Sequence, residues 1–193
     1  MFDFGYAAID GSILICEEGN FLYYSRDCCE NLIDGYKKSE IYCIRMDETL
    51  TNVVGEHKLV SSPDQDYEMK SASLQWKDYP HIWNEGPCVI KRGDTYIMNY
   101  STNFYASLDY AICMSTAKNP WGPWVKSKFN PVLSRNEEFF GAGHNAFFTN
   151  KNGELMTAFH IQTDPKHPSG DRTTVIAKVK FVEENGEIKQ IIE

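Results

Sequence analysis

Several things are missing from this chain, and each absence excludes a class of protein. No run approaches the roughly 20 consecutive apolar residues that span a bilayer as a helix. The N-terminal residues show no basic segment followed by an apolar one, the pattern of a secretory leader. Positive charge is scarce: 19 Lys and Arg against 27 Asp and Glu give a formal net charge of −8. Binding to nucleic acid or to an anionic membrane needs clustered cations, and no cluster occurs, so neither is an expected partner. No Cys-x-x-Cys is present, which argues against structural zinc. Cys16, Cys43, Cys88 and Cys113 lie in apolar, strand-like runs and Cys28-Cys29 is an adjacent pair. Free thiols in a reducing cytoplasm are therefore expected. Helical periodicity is also lacking, which points to an all-β fold.

Aromatic residues, in contrast, are plentiful at 13% and fall mostly in β-rich runs. They suit an all-β core or a carbohydrate-binding surface. The organising stretch is Asn84-Glu85-Gly86-Pro87-Cys88-Val89-Ile90-Lys91-Arg92-Gly93-Asp94-Thr95-Tyr96-Ile97-Met98-Asn99-Tyr100-Ser101. An acidic residue heads a strand, a Gly-Pro bend follows, and Arg92-Gly93-Asp94 forms a hairpin turn between two β-rich runs. The chain repeats this pattern. One further copy starts at Asp10 and turns at Gly19; another starts at His144 and turns at Gly153. Repeats spaced by roughly 60 to 75 residues suggest blades or arrays. Asp10, Glu85 and His144 at equivalent heads would face one common point.

In order along the chain, residues 26–38 read as a loop, residues 40–46 as a third strand and residues 56–60 as an outer strand. Residues 67–83 lead into the central repeat, and Trp76, Tyr79, Pro80 and Trp83 disfavour helix there. Residues 109–116 are again a third strand, with residues 131–133 closing that unit. Residues 172–181 and 188–192 form the last hairpin, turning at Glu184-Asn185-Gly186. The expectation is a single domain, 1–193, of three units (roughly 1–75, 76–135 and 136–193), each of four antiparallel strands, the composition of a propeller blade.

Glycosidic bonds are cleaved by paired carboxyl groups, one of them donating a proton. Glu85 beside Gly86-Pro87 and Trp83 suits a partly apolar pocket that raises its pKa, with Asp10 near enough to favour the protonated form. The alternative is two strand-end carboxylates in water.

Asp10 in Ala8-Ile9-Asp10-Gly11-Ser12, then Asn84-Glu85-Gly86-Pro87, Pro120-Trp121-Gly122-Pro123-Trp124, Gly143-His144-Asn145 and Phe159-His160 together resemble glycoside hydrolase family 43. No single landmark is specific, but their order is, and they cover essentially the whole chain. The resemblance implies a five-bladed β-propeller, of which this chain holds about three blades, and inverting hydrolysis of xylosides or arabinosides. Glu85 matches the general acid and Asp10 the aspartate that orients it and tunes its pKa. His144 matches a histidine that in many members lies beside a calcium ion. Because calcium prefers oxygen ligands, His144 is expected to act through water or on substrate, with no cofactor required. Arg172 matches an arginine of the sugar pocket, its alternative being a surface cation. Trp83, Phe104 and Tyr105 could offer sugar-stacking faces or simply pack within a blade.

The family's catalytic base is an aspartate well upstream of the Asp10 equivalent. Asp3 lies on the same approach as Asp10, and no residue here fills the base role. Three blades would leave two apolar faces open, so the chain is expected to pair with itself or with a chain supplying the remaining blades. A fragment of a longer protein is another account. Short imported oligosaccharides are the expected substrates. The competing readings are a carbohydrate-binding propeller fragment that does not hydrolyse, and a relic with no ligand.

Overall fold

The computed structural model describes residues 3–71 and 78–193. Strands dominate; among the described residues there is no α-helix and no helix able to cross a membrane. The first unit comprises β1 (Ala8–Cys16), β2 (Gly19–Arg26), the two-residue β3 (Leu32–Ile33), β4 (Tyr36–Met46) and β5 (Val53–Ser61). The second holds β6 (His81–Arg92), β7 (Thr95–Thr102), β8 (Ala111–Ala117) and β9 (Val125–Lys126). The third holds β10 (Gly143–Thr149), β11 (Leu155–Gln162), β12 (Arg172–Glu184) and β13 (Glu187–Ile192). Within each unit, successive main strands pair antiparallel, and β3 forms a small hairpin with the start of β4. Between units, Lys37–Ser39 of β4 run parallel to His81–Trp83 of β6, joining the first two units into one sheet. The third unit is a separate four-stranded sheet.

Alternation within the strands decides what each face buries. In β2, Phe21 and Tyr23 enter a core shared with Leu14, Ile41 and Cys43 of the first unit and Val89, Met98, Tyr100 and Cys113 of the second. Leu22 and Tyr24 point the other way, where Phe4 and Tyr6 from the N-terminal segment pack on them with Ile44 and Met46. Ile112 and Leu133 of the second unit meet Ala142, Phe159 and Ala177 of the third. Such contacts are what hold stacked repeats together, since no unit covers its own faces. All six cysteines are free thiols; Cys28, Cys43 and Cys113 are buried and behave as small apolar side chains.

Two expectations need correction. Residues 26–38 are not a plain loop: they contain a 3-10 turn (Cys28–Glu30), β3 and the beginning of β4. The hairpin there turns on Asp34-Gly35, both with positive φ, 52° and 80°, the geometry of a tight two-residue turn. The second unit closes on Val125–Lys126, while Leu133 makes only an isolated bridge to Ile112. Pro131 lacks the N–H that a longer ladder would use. The expected boundary between residues 75 and 76, and Trp76 with it, lies outside the described residues.

Phe159 is 2% exposed and meets Phe139 edge-on. Phe159→Ala is expected to cost about 3–5 kcal/mol of stability by opening a cavity between the second and third units. A fall in the urea midpoint with an unchanged slope would show it.

Candidate active site

Three strand heads converge, and each carries the same irregularity. The ladder register slips between Ile9 and Ser12 in β1, between Glu85 and Cys88 in β6, and between Gly143 and Ala146 in β10. In each bulge one residue takes positive φ: Asp10 at 58°, Gly86 at 60° and His144 at 52°. Non-glycine residues seldom adopt this conformation, and bulges re-aim the side chains they carry. The register also corrects the expected equivalence. Asp10, Gly86 and His144 occupy like positions, and Glu85 stands one place earlier, level with Ile9 and Gly143. Glycine suits position 86, where a Cβ would meet the His144 ring at 3.3 Å on a backbone of positive φ.

The bulges are tied across units by serine. Gly86 N–H donates to Ser25 Oγ at 3.1 Å and lies 3.2 Å from Asp10 Oδ2. Ser25 Oγ–H in turn donates to Asp10 Oδ2 at 3.3 Å. One unit further on, His144 N–H donates to Ser101 Oγ at 2.7 Å. These contacts put Asp10 of the first unit beside Glu85 of the second, and set His144 Nε2 3.8 Å from Asp10 Oδ1.

Glu85 is 8% exposed. Burial, and then the charge of Asp10, push its carboxyl up to about 8. The Tyr110 hydroxyl, which donates to Glu85 Oε1 at 2.8 Å, and the Arg172 guanidinium pull in the opposite direction without cancelling the rise. At neutral pH the Glu85 carboxyl therefore holds its proton.

Glu85 and Asp10 open into a cavity of about 400 Å³, within the range of small-molecule sites. All seven residues singled out in the sequence line it: Asp10, Glu85, His144, Arg172, Trp83, Phe104 and Tyr105. Trp83 is buried against Phe104, with ring centroids 5.5 Å apart, and Phe104 meets Tyr105 at 4.9 Å. Tyr105 is half exposed, and the Arg172 guanidinium lies 5.0 Å from its ring centre. Sequence reasoning missed Tyr110, His81, Asp27 and Cys28, which also line the cavity. Asp27 falls in the stretch that reads as loop; one of its oxygens caps the Cys29 N–H at 2.7 Å.

A calcium ion takes six to eight oxygen ligands. His144 has one carboxylate near it, and no group of three or more His, Cys, Asp and Glu able to hold a metal occurs among the described residues.

A buried carboxyl beside a second carboxylate in an aromatic-walled pocket, on an all-β scaffold, is the kind of pairing that cleavage of glycosidic bonds uses. The family model for glycosyl hydrolases family 43 matches residues 2–186, and the chain belongs to that family. A crystal structure of a thermostable family-43 glycoside hydrolase is 39% identical, with a TM-score of 0.87 over 98% of this chain and 59% of that one. An endo-1,4-beta-xylanase from Bacteroides thetaiotaomicron is 26% identical, with a TM-score of 0.78 over 97% of this chain and 59% of that one. Among curated proteins, the beta-D-galactofuranosidase xynD of Aspergillus niger is 26% identical over 109 residues, 56% of this chain and 32% of that protein. The chain thus spans about three-fifths of the solved relatives' length.

The raised pKa of Glu85 sets a pH dependence of stability. Its value moves from 4.5 to about 8 on folding, so between those values the folded chain binds the proton more tightly than the unfolded chain. The stabilisation is complete below the lower value and is lost as pH rises through the upper one. Glu85→Gln is expected to flatten this fall by up to about 1.4 kcal/mol per pH unit, checked by urea unfolding across the window.

Proposed function

We propose that this chain is the acid-bearing part of an inverting glycosidase acting on arabinose- or xylose-containing oligosaccharides. The observation that carries the reading is the protonated, buried Glu85 beside Asp10 in an aromatic pocket. Glu85 protonates the leaving oxygen. Asp10, held by the Gly86 amide and Ser25, keeps that acid charged with its proton and in place. His144, Arg172, Tyr105 and Phe104 meet the sugar, and Trp83 backs them.

Inversion also needs a base that activates water on the opposite face of the sugar, and this role falls to a carboxylate outside the chain. The complete scaffold on this reading is a five-bladed propeller, of which the three units here are blades. The rest lies outside these 193 residues. Its seats are the faces left open: Ile13 and Ile15 on β1, 47% and 67% exposed, and Ile176 on β12, 61% exposed. Ile176 lies level with Ala158 and Ala146 across the third sheet.

The second reading, a fragment that binds sugar without hydrolysing it, is favoured by a pocket that takes its walls and acid from this chain but not its base. Hydrolysis of an aryl β-xyloside, an aryl α-arabinofuranoside and arabino-oligosaccharides separates the two. Turnover that falls at least roughly a hundredfold in Glu85→Gln is the expected result, and its concentration dependence reports assembly. Turnover lost in Asp27→Asn as well would place the base in this chain. Folded protein that binds the oligosaccharides without turning them over would sink the catalytic reading.

A further inference from the structure

The repeat offers its own comparison. In the second strands, the residues opposite Ile9, Glu85 and Gly143 are Ser25, Ser101 and His160. The two serines do one job, each binding the bulge amide of the following unit. In the third unit that place is taken by a histidine with different contacts. The His160 ring lies nearly parallel to Tyr110, 11° between planes and 5.5 Å between centres. Its Nε2 is 2.9 Å from Arg172 Nη1. Following the same registers one step further, Arg172 and Tyr110 are themselves equivalent, at the start of the third strands.

Arginine can only donate, so His160 Nε2 accepts and the ring proton sits on Nδ1. Tyr110 is fixed from another side too: a Cβ on Gly143 would fall 2.0 Å from its ring, so only glycine lets the ring pack there. We propose that His160 is a positioning residue of this site, fixing Arg172 over the pocket through Nε2 and bracing the Tyr110 ring that holds Glu85. The inference rests on the sugar-pocket reading in one respect, that Arg172 meets the sugar. An exposed arginine loses much rotamer freedom when a ligand fixes it. Held in advance between the Tyr105 ring and the His160 acceptor, Arg172 meets a sugar hydroxyl already oriented. Burial, then the charges of Arg172 and His144, hold the imidazole down at about 4. His160 thus remains an acceptor from about pH 4 up to about pH 8, a range over which Glu85 carries its proton.

The test has two readouts on the intact chain. Without sugar, the ring-nitrogen NMR shifts of His160 should show a neutral Nδ1–H tautomer persisting below pH 6.5, the ordinary histidine midpoint; Arg172→Met should raise that midpoint and free the tautomer. With arabino-oligosaccharides in calorimetry, His160→Ala and Arg172→Ala should each weaken binding roughly tenfold. The double variant should be no worse than either, and His160→Gln, which keeps an acceptor, should recover most of the loss. An Nε2–H tautomer in the wild type, or additive losses in the double variant, would overturn the proposal. The expected tautomer in a chain that binds no sugar supports the His160–Arg172 contact and sinks the sugar-pocket reading instead.

Discussion

The bond on which the site depends is the one from a serine hydroxyl of one unit to the bulge amide of the next. Asp10 and Glu85 are separated by 75 positions in the sequence and belong to different units, on strands that do not pair with each other. Nothing local brings them together. Ser25 does so by meeting both partners, accepting from Gly86 N–H and donating to Asp10. Ser101 repeats the arrangement toward His144. The amide freed by each bulge is thereby satisfied, which a buried backbone donor requires. The same bond fixes the relative height of two strand heads, and so the distance at which their side chains act on one another.

That distance is what lets one carboxyl differ from the other. Asp10 takes hydrogen bonds from the Gly86 amide and Ser25, whereas Glu85 is buried and receives the Tyr110 hydroxyl. Donors from the backbone favour a charged carboxylate, and burial disfavours it. Burial and the neighbouring Asp10 charge thus raise the proton affinity of Glu85, the general means by which a carboxyl is kept as an acid near neutral pH. The positive φ at Asp10 and His144 is the conformational strain that accompanies this placement, and the surrounding contacts hold it.

Much of this was legible in the sequence, for identifiable reasons. The hairpin turns at Gly93 and at Asn185-Gly186 stand out because glycine and asparagine adopt left-handed backbone that other residues avoid. Asp34-Gly35 carries the same signal, but the polar residues around it read as loop and mask the short β3 and the beginning of β4. Glu85 and Asp10 were readable because each heads a β-rich run beside glycine. Their offset by one place was not, because a bulge is settled by pairing between strands, not by either strand alone. Tyr110 left no motif of its own, and His160 stood only within the Phe159-His160 landmark, with no role attached to it. They enter the site from the end of a second strand and the start of a third, and a stack between successive units has no sequence period to betray it.

The three-residue parallel ladder between β4 and β6 gives the molecule an uneven grain. It welds the backbones of the first two units, while among the described residues the third unit is held to the second by side chains and the Ser101 contact alone. Amide hydrogens of β10 to β13 would then exchange with solvent through an opening that leaves the first two units intact, a separate cooperative unit of lower free energy. The half of the pocket that carries His144 and Arg172 would loosen while Asp10 and Glu85 stay clasped.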